Sequence, residues 1–136
     1  MPKFNKVLIV EDDVFISELY ARAIKKAGYD LELATTGPQG LELATTGEYD
    51  LMLLDIMIPE MTGVDVLESL RKKKDIVPNM KIVVTTNLEQ DEVIRNAVES
   101  LADGYIIKAD ITPKLLVKMI HQVEESGELP KDAPMI

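Results

Sequence analysis

The chain has 136 residues, 46% of them hydrophobic, and a formal net charge of −9 at pH 7, which fits one globular domain with its own core and argues against disorder. It contains no cysteine, which excludes disulfides, thiolate metal sites and cysteine nucleophiles. No apolar run approaches the ~18 residues of a membrane span, and the acidic charge argues against a nucleic-acid partner, so we expect neither a membrane nor a nucleic acid to be bound.

Strands and helices alternate along the first half of the chain. Apolar runs bounded by turn residues predict strands, and apolar residues at helical spacing predict helices. Asp13 and Gly28 stand where the first helix needs an N-cap and a stop, and Pro38 and Gly47 bracket the second helix. We expect strands at about 6–10, 30–34 and 50–54, with helices at about 14–27 and 38–46.

The same alternation continues to the end of the chain. One apolar helix face is formed by Val93, Ile94, Ala97, Val98 and Leu101, and Thr112 has the position of an N-cap for the last helix. We expect helices at about 64–73, 90–101 and 113–126, and strands at about 81–85 and 105–107.

Five successive strand–helix units predict a parallel sheet covered by helices on both faces. The first, third and fourth strands are solidly apolar and should be central. The second alternates apolar and polar residues and the fifth is short, so both should be edges. The predicted fold is a doubly wound α/β domain, flavodoxin-like (βα)5, with strand order 2-1-3-4-5. We expect this domain to cover residues 1–126 and a short tail to cover 127–136.

The heptapeptide Leu-Glu-Leu-Ala-Thr-Thr-Gly occurs twice, at 31–37 and at 41–47. Pro38 and the surrounding turn residues predict that the first copy forms a strand and the second a helix, because context often overrides intrinsic propensity.

Polar residues capable of chemistry follow four of the predicted strands. Asp55 closes the run 51–54, Glu11-Asp12-Asp13 follows the first strand, Thr85-Thr86 ends the fourth, and Lys108 follows the fifth. In open α/β sheets, ligands bind at the carboxyl ends of the strands. Clustered carboxylates repel one another, and a divalent cation relieves that repulsion. The pattern indicates a metal-assisted site at which a carboxylate accepts a phosphoryl group.

Over residues 5 to about 125 the chain resembles the receiver domains of response regulators. The resemblance rests on four motifs, each at a predicted strand end and in this order: Val10-Glu11-Asp12-Asp13, Asp55-Ile56-Met57-Ile58-Pro59-Glu60-Met61-Thr62-Gly63, Val83-Val84-Thr85-Thr86, and Ala102-Asp103-Gly104-Tyr105-Ile106-Ile107-Lys108.

The resemblance implies that Asp55 accepts a phosphoryl group from a phosphohistidine of a histidine kinase or His-containing phosphotransfer protein. It also implies Mg²⁺ as cofactor, held by the carboxylates of Asp12 and Asp55, by Glu11 through water, and by the backbone carbonyl of Met57.

The resemblance further implies that Thr85 and Lys108 bind the phosphoryl oxygens and that Thr85 and Tyr105 form the switch. We expect a cytoplasmic, stand-alone receiver that is a monomer or weak dimer through its fourth helix, fifth strand and fifth helix. Its tail is too short for an output domain, so its target should be a separate protein. In the family that the chain resembles, two side chains flank the path of water to the phosphorylated aspartate, and the matching residues here are Met57 and Asn87. Neither is a useful general base, so we expect slow self-dephosphorylation at most.

Receivers usually have Pro after the residue at Lys108, whereas this chain has Ala109, which leaves the cis or trans state of that bond open. The alternative function is a receiver-like protein-binding scaffold that acts without phosphorylation. An aspartate-nucleophile phosphatase is disfavoured, because that chemistry needs a second acid where Met57 stands.

Overall fold

The computed structural model describes residues 4–58, 60–72, 80–86, 92–108 and 111–126. Asn87, Ala109 and the tail at 127–136 lie outside the described residues, so the predictions made for them stay predictions. The strands are β1 (Lys6–Val10), β2 (Asp30–Ala34), β3 (Leu51–Asp55), β4 (Lys81–Thr86) and β5 (Gly104–Ile107). The helices are α1 (Val14–Lys26), α2 (Gly37–Ala44), α3 (Gly63–Arg71), α4 (Glu92–Leu101) and α5 (Pro113–Ser126).

All ten predicted elements are present, and their ends lie within two residues of the predicted ones. The shift that matters lies at β3, which includes Asp55 because its Cα pairs with Thr85 in the ladder to β4. The second helix begins one residue early, at Gly37, because the side chain of Thr36 caps it by accepting the backbone N–H of Gln39. Among the described residues, no helix is long and apolar enough to cross a membrane.

The five strands form one parallel sheet in the order β2-β1-β3-β4-β5, which confirms the predicted topology. The predicted edges, β2 and β5, lie at the two sides of the sheet. The central strand β3 is buried along its whole length, as its unbroken apolar run requires.

Alternate side chains of each strand enter two separate cores, as the pleat of a strand dictates. Leu8, Met52 and Ile82 point toward α2, α3 and α4. Val7 and Leu53 point the other way, toward α1 and α5. The helices therefore cover both faces of the sheet, and the ends of the strands are left for polar residues.

Helix ends are fixed by short polar side chains at the predicted positions. Asp13 accepts the N–H of Ile16 at the start of α1, and Thr112 accepts the N–H of Leu115 at the start of α5. Gly28 has a φ of 103° just beyond α1, a conformation that glycine adopts without strain. The repeated heptapeptide behaves as predicted: its first copy completes β2 and its second copy completes α2.

Candidate functional site

The parallel strands all end on the same side of the sheet, which we call its carboxyl edge. The ends of β1, β3, β4 and β5 bring the predicted site residues together there. Glu11 follows β1, Asp55 is the last residue of β3, and Lys108 follows β5. Thr85 is the Cα partner of Asp55 on the neighbouring strand, and its side chain is buried with 2% of the residue exposed. Residues far apart in sequence thus become neighbours because the parallel register aligns the strand ends.

Lys108 reaches from the edge strand to the centre of the sheet and pairs with two acids. Its Nζ lies 2.8 Å from Oε1 of Glu11 and 2.9 Å from Oδ2 of Asp55. The two carboxylates are almost fully buried, with 2% and 3% of their side chains exposed, whereas the lysine retains 17%. Such buried pairs are weakly screened by salt and are sensitive to the loss of either partner.

Backbone N–H groups hold the two buried acids in place. The N–H of Met57 donates to Oδ1 of Asp55 over 3.0 Å, and the N–H of Asp13 donates to Oε2 of Glu11 over 3.1 Å. Asp55 therefore has one oxygen fixed by the chain that follows β3 and the other facing Lys108. We refer to Glu11, Asp12, Asp55 and Lys108 as the carboxyl-edge cluster.

The carboxyl-edge cluster carries more negative than positive charge, with three carboxylates and one ammonium among its described members. Burial raises the pKa of Glu11 to about 7; the charge of Asp55 adds to this, while contacts with Lys108 and Asp13 oppose it. Burial acts to lower the pKa of Lys108, but its contacts with Glu11 and Asp55 outweigh that effect and raise it. The lysine is therefore charged at neutral pH, and the carboxylates compete for it.

The donor set of the carboxyl-edge cluster suits a small hard cation. Ligand oxygens of Glu11, Asp12 and Asp55 all lie within 4.8 Å of one another, and Asp12 is exposed to solvent. Oε1 of Glu11 is buried, and it faces the ammonium of Lys108 at 2.8 Å. A few carboxylate oxygens at an open edge are the ligands that Mg²⁺ takes together with water and phosphate. The residues present therefore fit a magnesium ion.

The remaining predicted residues lie around this cluster. Met57 follows Asp55 by two residues, and its side chain is exposed, with 62% of the residue accessible. Tyr105 is half-buried on β5, where it packs against the core that contains α2, α3 and α4. Thr86 is buried at the end of β4.

A second polar cluster, which was not predicted from the sequence, lies on the side of the sheet where the strands begin, which we call its amino edge. Glu124 on α5 accepts the N–H of Phe4 over 2.8 Å and the hydroxyl of Tyr29 over 2.5 Å. Nδ1 of His121 lies 3.1 Å from Glu124 and 3.0 Å from the Tyr29 hydroxyl. We refer to Tyr29, His121 and Glu124 as the amino-edge cluster. No sequence motif predicts this cluster, because a tyrosine and a glutamate 95 positions apart come into contact only when α1 and α5 pack on the same face of the sheet.

Known proteins share this fold and part of this sequence. The chain matches the family described as "Response regulator receiver domain" over residues 7–121. It is 31% identical over 122 residues to chemotaxis protein CheY of Thermotoga maritima, an alignment that covers 89% of this chain and 98% of that protein. A CheY-like receiver domain protein of Methanospirillum hungatei superposes with a TM-score of 0.77 at 30% identity, covering 90% of this chain and 95% of that one.

Other relatives are about twice as long as the matched region. The probable transcriptional regulatory protein SilR of Salmonella typhimurium is 35% identical over 114 residues, which cover 84% of this chain and 49% of SilR. The family match nevertheless spans most of the chain, and the sheet order agrees with it. The chain belongs to the response regulator receiver domains, the phosphoryl-accepting switches of two-component signalling.

Proposed function

We propose that this receiver is switched by phosphorylation of Asp55, with a phosphohistidine of a histidine kinase or phosphotransfer protein as donor. The observation that carries the proposal is the buried Asp55 carboxylate at the sheet edge, with Lys108 2.9 Å from one oxygen and two further acids beside it. A lone capping aspartate would not need a buried ammonium partner or adjacent carboxylates.

In the proposed reaction, an oxygen of Asp55 attacks the phosphorus of the phosphohistidine. The phosphorus–nitrogen bond breaks, and the imidazole leaves with that electron pair and takes up a proton. Lys108 already faces Oδ2 of Asp55, so its ammonium is in position to stabilise the negative charge of the transferred group. The hydroxyl of Thr85, on the strand beside Asp55, is proposed to donate to a phosphoryl oxygen.

Glu11, Asp12 and Asp55 are proposed to hold Mg²⁺ together with the backbone carbonyl of Met57. When bound, the ion neutralises carboxylate and phosphoryl charge. Glu11 supports this role because its carboxylate is buried beside Asp55, and burial, with a smaller contribution from the charge of Asp55, raises its pKa. A cation at this position would stabilise the ionised carboxylate.

Phosphorylation adds roughly two negative charges beside Thr85. We propose that Thr85 moves toward them and that Tyr105 fills the space it leaves, which alters the surface of α4, β5 and α5. That surface would meet a separate protein target, and the protein would act in the cytoplasm as a monomer or weak dimer. Adding beryllofluoride and Mg²⁺ should change NMR chemical shifts across these three elements; changes confined to the loops around Asp55 would contradict the switch.

We also propose that the phosphorylated state hydrolyses slowly. Met57 lies exposed beside Asp55 and offers water only a weak sulfur acceptor. Replacing it by a residue that can position water, as in Met57→Asn, should speed the decay of the phosphorylated protein after the donor is removed. Unchanged or slower decay would show that this side chain does not limit water access.

The decisive experiment is intact-mass measurement after incubation with acetyl phosphate and Mg²⁺. The unmodified sequence should gain one phosphoryl group, and Asp55→Asn should gain none while keeping its fold, because the amide preserves shape and removes the nucleophile. Asp65→Asn, which changes an exposed aspartate in the first turn of α3, is the matched control and should be phosphorylated normally.

The alternatives give different results in the same experiment. A phosphorylation-independent scaffold would gain no phosphoryl group, and a phosphatase would consume acetyl phosphate over many turnovers without accumulating an adduct. A full adduct on Asp55→Asn would place the acceptor on another residue.

A further inference from the structure

The connection from β3 to α3 is fixed at both of its ends. At its start, the N–H of Met57 donates to Oδ1 of Asp55 over 3.0 Å. At its end, the N–H of Gly63 donates to the carbonyl of Ile56 over 2.9 Å. Between them, Glu60 has a φ of 70°, which non-glycine residues rarely adopt. A backbone in such a conformation persists only where its surroundings hold it.

The first turn of α2 supplies part of those surroundings. Gly37, the buried first residue of α2, lies so close to Met61 that a Cβ on residue 37 would be 2.6 Å from the carbonyl oxygen of Met61 and 2.7 Å from its Cβ. Neither atom can move by rotating a side chain. A side chain at 37 must therefore displace the backbone of the connection or of α2.

The first turn of α2 is itself well anchored. Thr36 caps it by accepting the N–H of Gln39, and Oε1 of Gln39 accepts the N–H of Thr35 over 3.0 Å. The first turn of α2 is thus held by its own hydrogen bonds, so we expect a side chain at residue 37 to displace the connection rather than α2.

We propose that Gly37 is a positioning residue for the phosphorylation site: its bare Cα lets α2 lie directly against Met61, which holds the connection so that Met57 points its N–H at Asp55. This inference rests on the proposed function, because it assigns Gly37 a role in orienting the Asp55 carboxylate and the Met57 carbonyl. It adds a residue on a different element, 18 positions before Asp55 in the printed sequence, that contacts neither the phosphoryl group nor the cation.

Two other glycines have different surroundings, and one of them, Gly28, provides the control. A Cβ on Gly40, one turn further along α2, would meet the Val10 side chain at 2.7 Å, on β1 rather than on the connection. A Cβ on Gly28 would meet nothing within 4 Å, but its φ of 103° makes alanine there strained. Gly28→Ala therefore destabilises the protein at the opposite edge of the sheet without touching the site.

The experiment compares Gly37→Ala with Gly28→Ala in the full chain. Alanine forms a helix more readily than glycine, so an effect of Gly37→Ala on the site is not caused by a weaker α2. In the metal-free protein, the Met57 amide resonance should shift in Gly37→Ala and stay in place in Gly28→Ala. The initial rate of phosphorylation by acetyl phosphate at saturating Mg²⁺ should fall on the order of tenfold in Gly37→Ala alone, as expected when a reacting group is misplaced by a fraction of an ångström.

A Met57 amide and a phosphorylation rate that match those of Gly28→Ala would overturn the proposal while leaving phosphorylation of Asp55 intact. Absence of phosphorylation in the unmodified sequence would instead refute the proposed function. If Gly37→Ala does not fold, the pair Met61→Gly and Met61→Ala tests the same contact, because only the first removes the Cβ that faces Gly37. The glycine variant should shift the Met57 amide more than the alanine variant; equal shifts would overturn the proposal.

Discussion

Buried carboxylates have different kinds of partners at the amino edge and at the carboxyl edge of the sheet. At the amino edge, the side chain of Glu124 is 6% exposed, and its carboxylate accepts hydrogen bonds from a backbone N–H and a tyrosine hydroxyl. His121 lies beside it. At the carboxyl edge, two buried carboxylates, those of Glu11 and Asp55, share the single ammonium of Lys108.

The ionisation of the two glutamates shows the consequence. Burial acts to raise the pKa of Glu124, but its hydrogen bonds with Tyr29, Phe4 and His121 outweigh that and lower it. Burial raises the pKa of Glu11 to about 7, and its partners only partly compensate. The amino edge therefore stabilises the charge of its carboxylate, whereas at the carboxyl edge burial penalises the charge of Glu11, which a bound cation would stabilise.

Replacing Lys108 should have the largest effect, which is on the rate of phosphorylation at the carboxyl edge. Lys108→Met keeps the length of the side chain and removes the ammonium that faces Asp55, so phosphorylation by acetyl phosphate should slow about 100-fold, as for loss of one oriented electrostatic group in an active site. Lys114→Met, on the exposed surface of α5, is the matched control and should leave the rate unchanged. Equal rates in the two variants would remove Lys108 from the reaction.

Neutralising the acid of the amino edge should lower stability and spare function. Glu124→Gln puts an amide nitrogen where one of two accepting oxygens stands, so we expect the free energy of unfolding to fall by about 2 kcal/mol, as for loss of hydrogen bonds to a charged group. Urea denaturation measures this, with the exposed neighbour in Glu125→Gln as control. A phosphorylation rate that fell along with stability would show that the two edges are not independent.

Neutralising Glu11 should have the opposite sign, with a gain in stability that grows as the pH rises from 4.5 to about 7. Because the folded-state pKa of Glu11 is raised, its contribution to stability is complete below its usual value of 4.5 and is lost as pH rises toward about 7. In metal-free protein, the stability of Glu11→Gln relative to the unmodified sequence should therefore rise by about 3 kcal/mol between pH 4.5 and pH 8. Urea denaturation with EDTA at both pH values measures the gain, and saturating Mg²⁺ should shrink it; a gain independent of pH would contradict the assigned ionisation.

Removing one donor from the amino edge should have the smallest effect. Tyr29→Phe deletes one hydroxyl, and Glu124 keeps the N–H of Phe4, so we expect a loss of about 1 kcal/mol. Since the lowered pKa of Glu124 stabilises the fold above its usual value, the variant should also lose less stability than the unmodified sequence when the pH falls below that value. Tyr49→Phe, at another buried tyrosine, is the control for the acid response, which it should leave unchanged.

The fold and the carboxyl edge were predictable from the sequence because both depend on local patterns. Apolar runs identified the central strands, and the polar residue at each run's end had to lie at the same edge of a parallel sheet. The amino-edge cluster and the contact between Gly37 and Met61 were not predictable, because they depend on how helices pack, to within an ångström. The end of β3 was misplaced by one residue for a related reason: Asp55 looks like a turn residue until its pairing with Thr85 is seen.

The repeated heptapeptide has a consequence for how the chain avoids misfolding. Either copy could in principle supply the edge strand beside β1, since their sequences are identical. If 41–44 formed that strand, only residues 45–50 would remain to reach β3, whereas a crossover between parallel strands needs about a dozen residues or more. Topological connectivity therefore rejects the wrong copy, and the same seven residues can encode a strand and a helix in one native state.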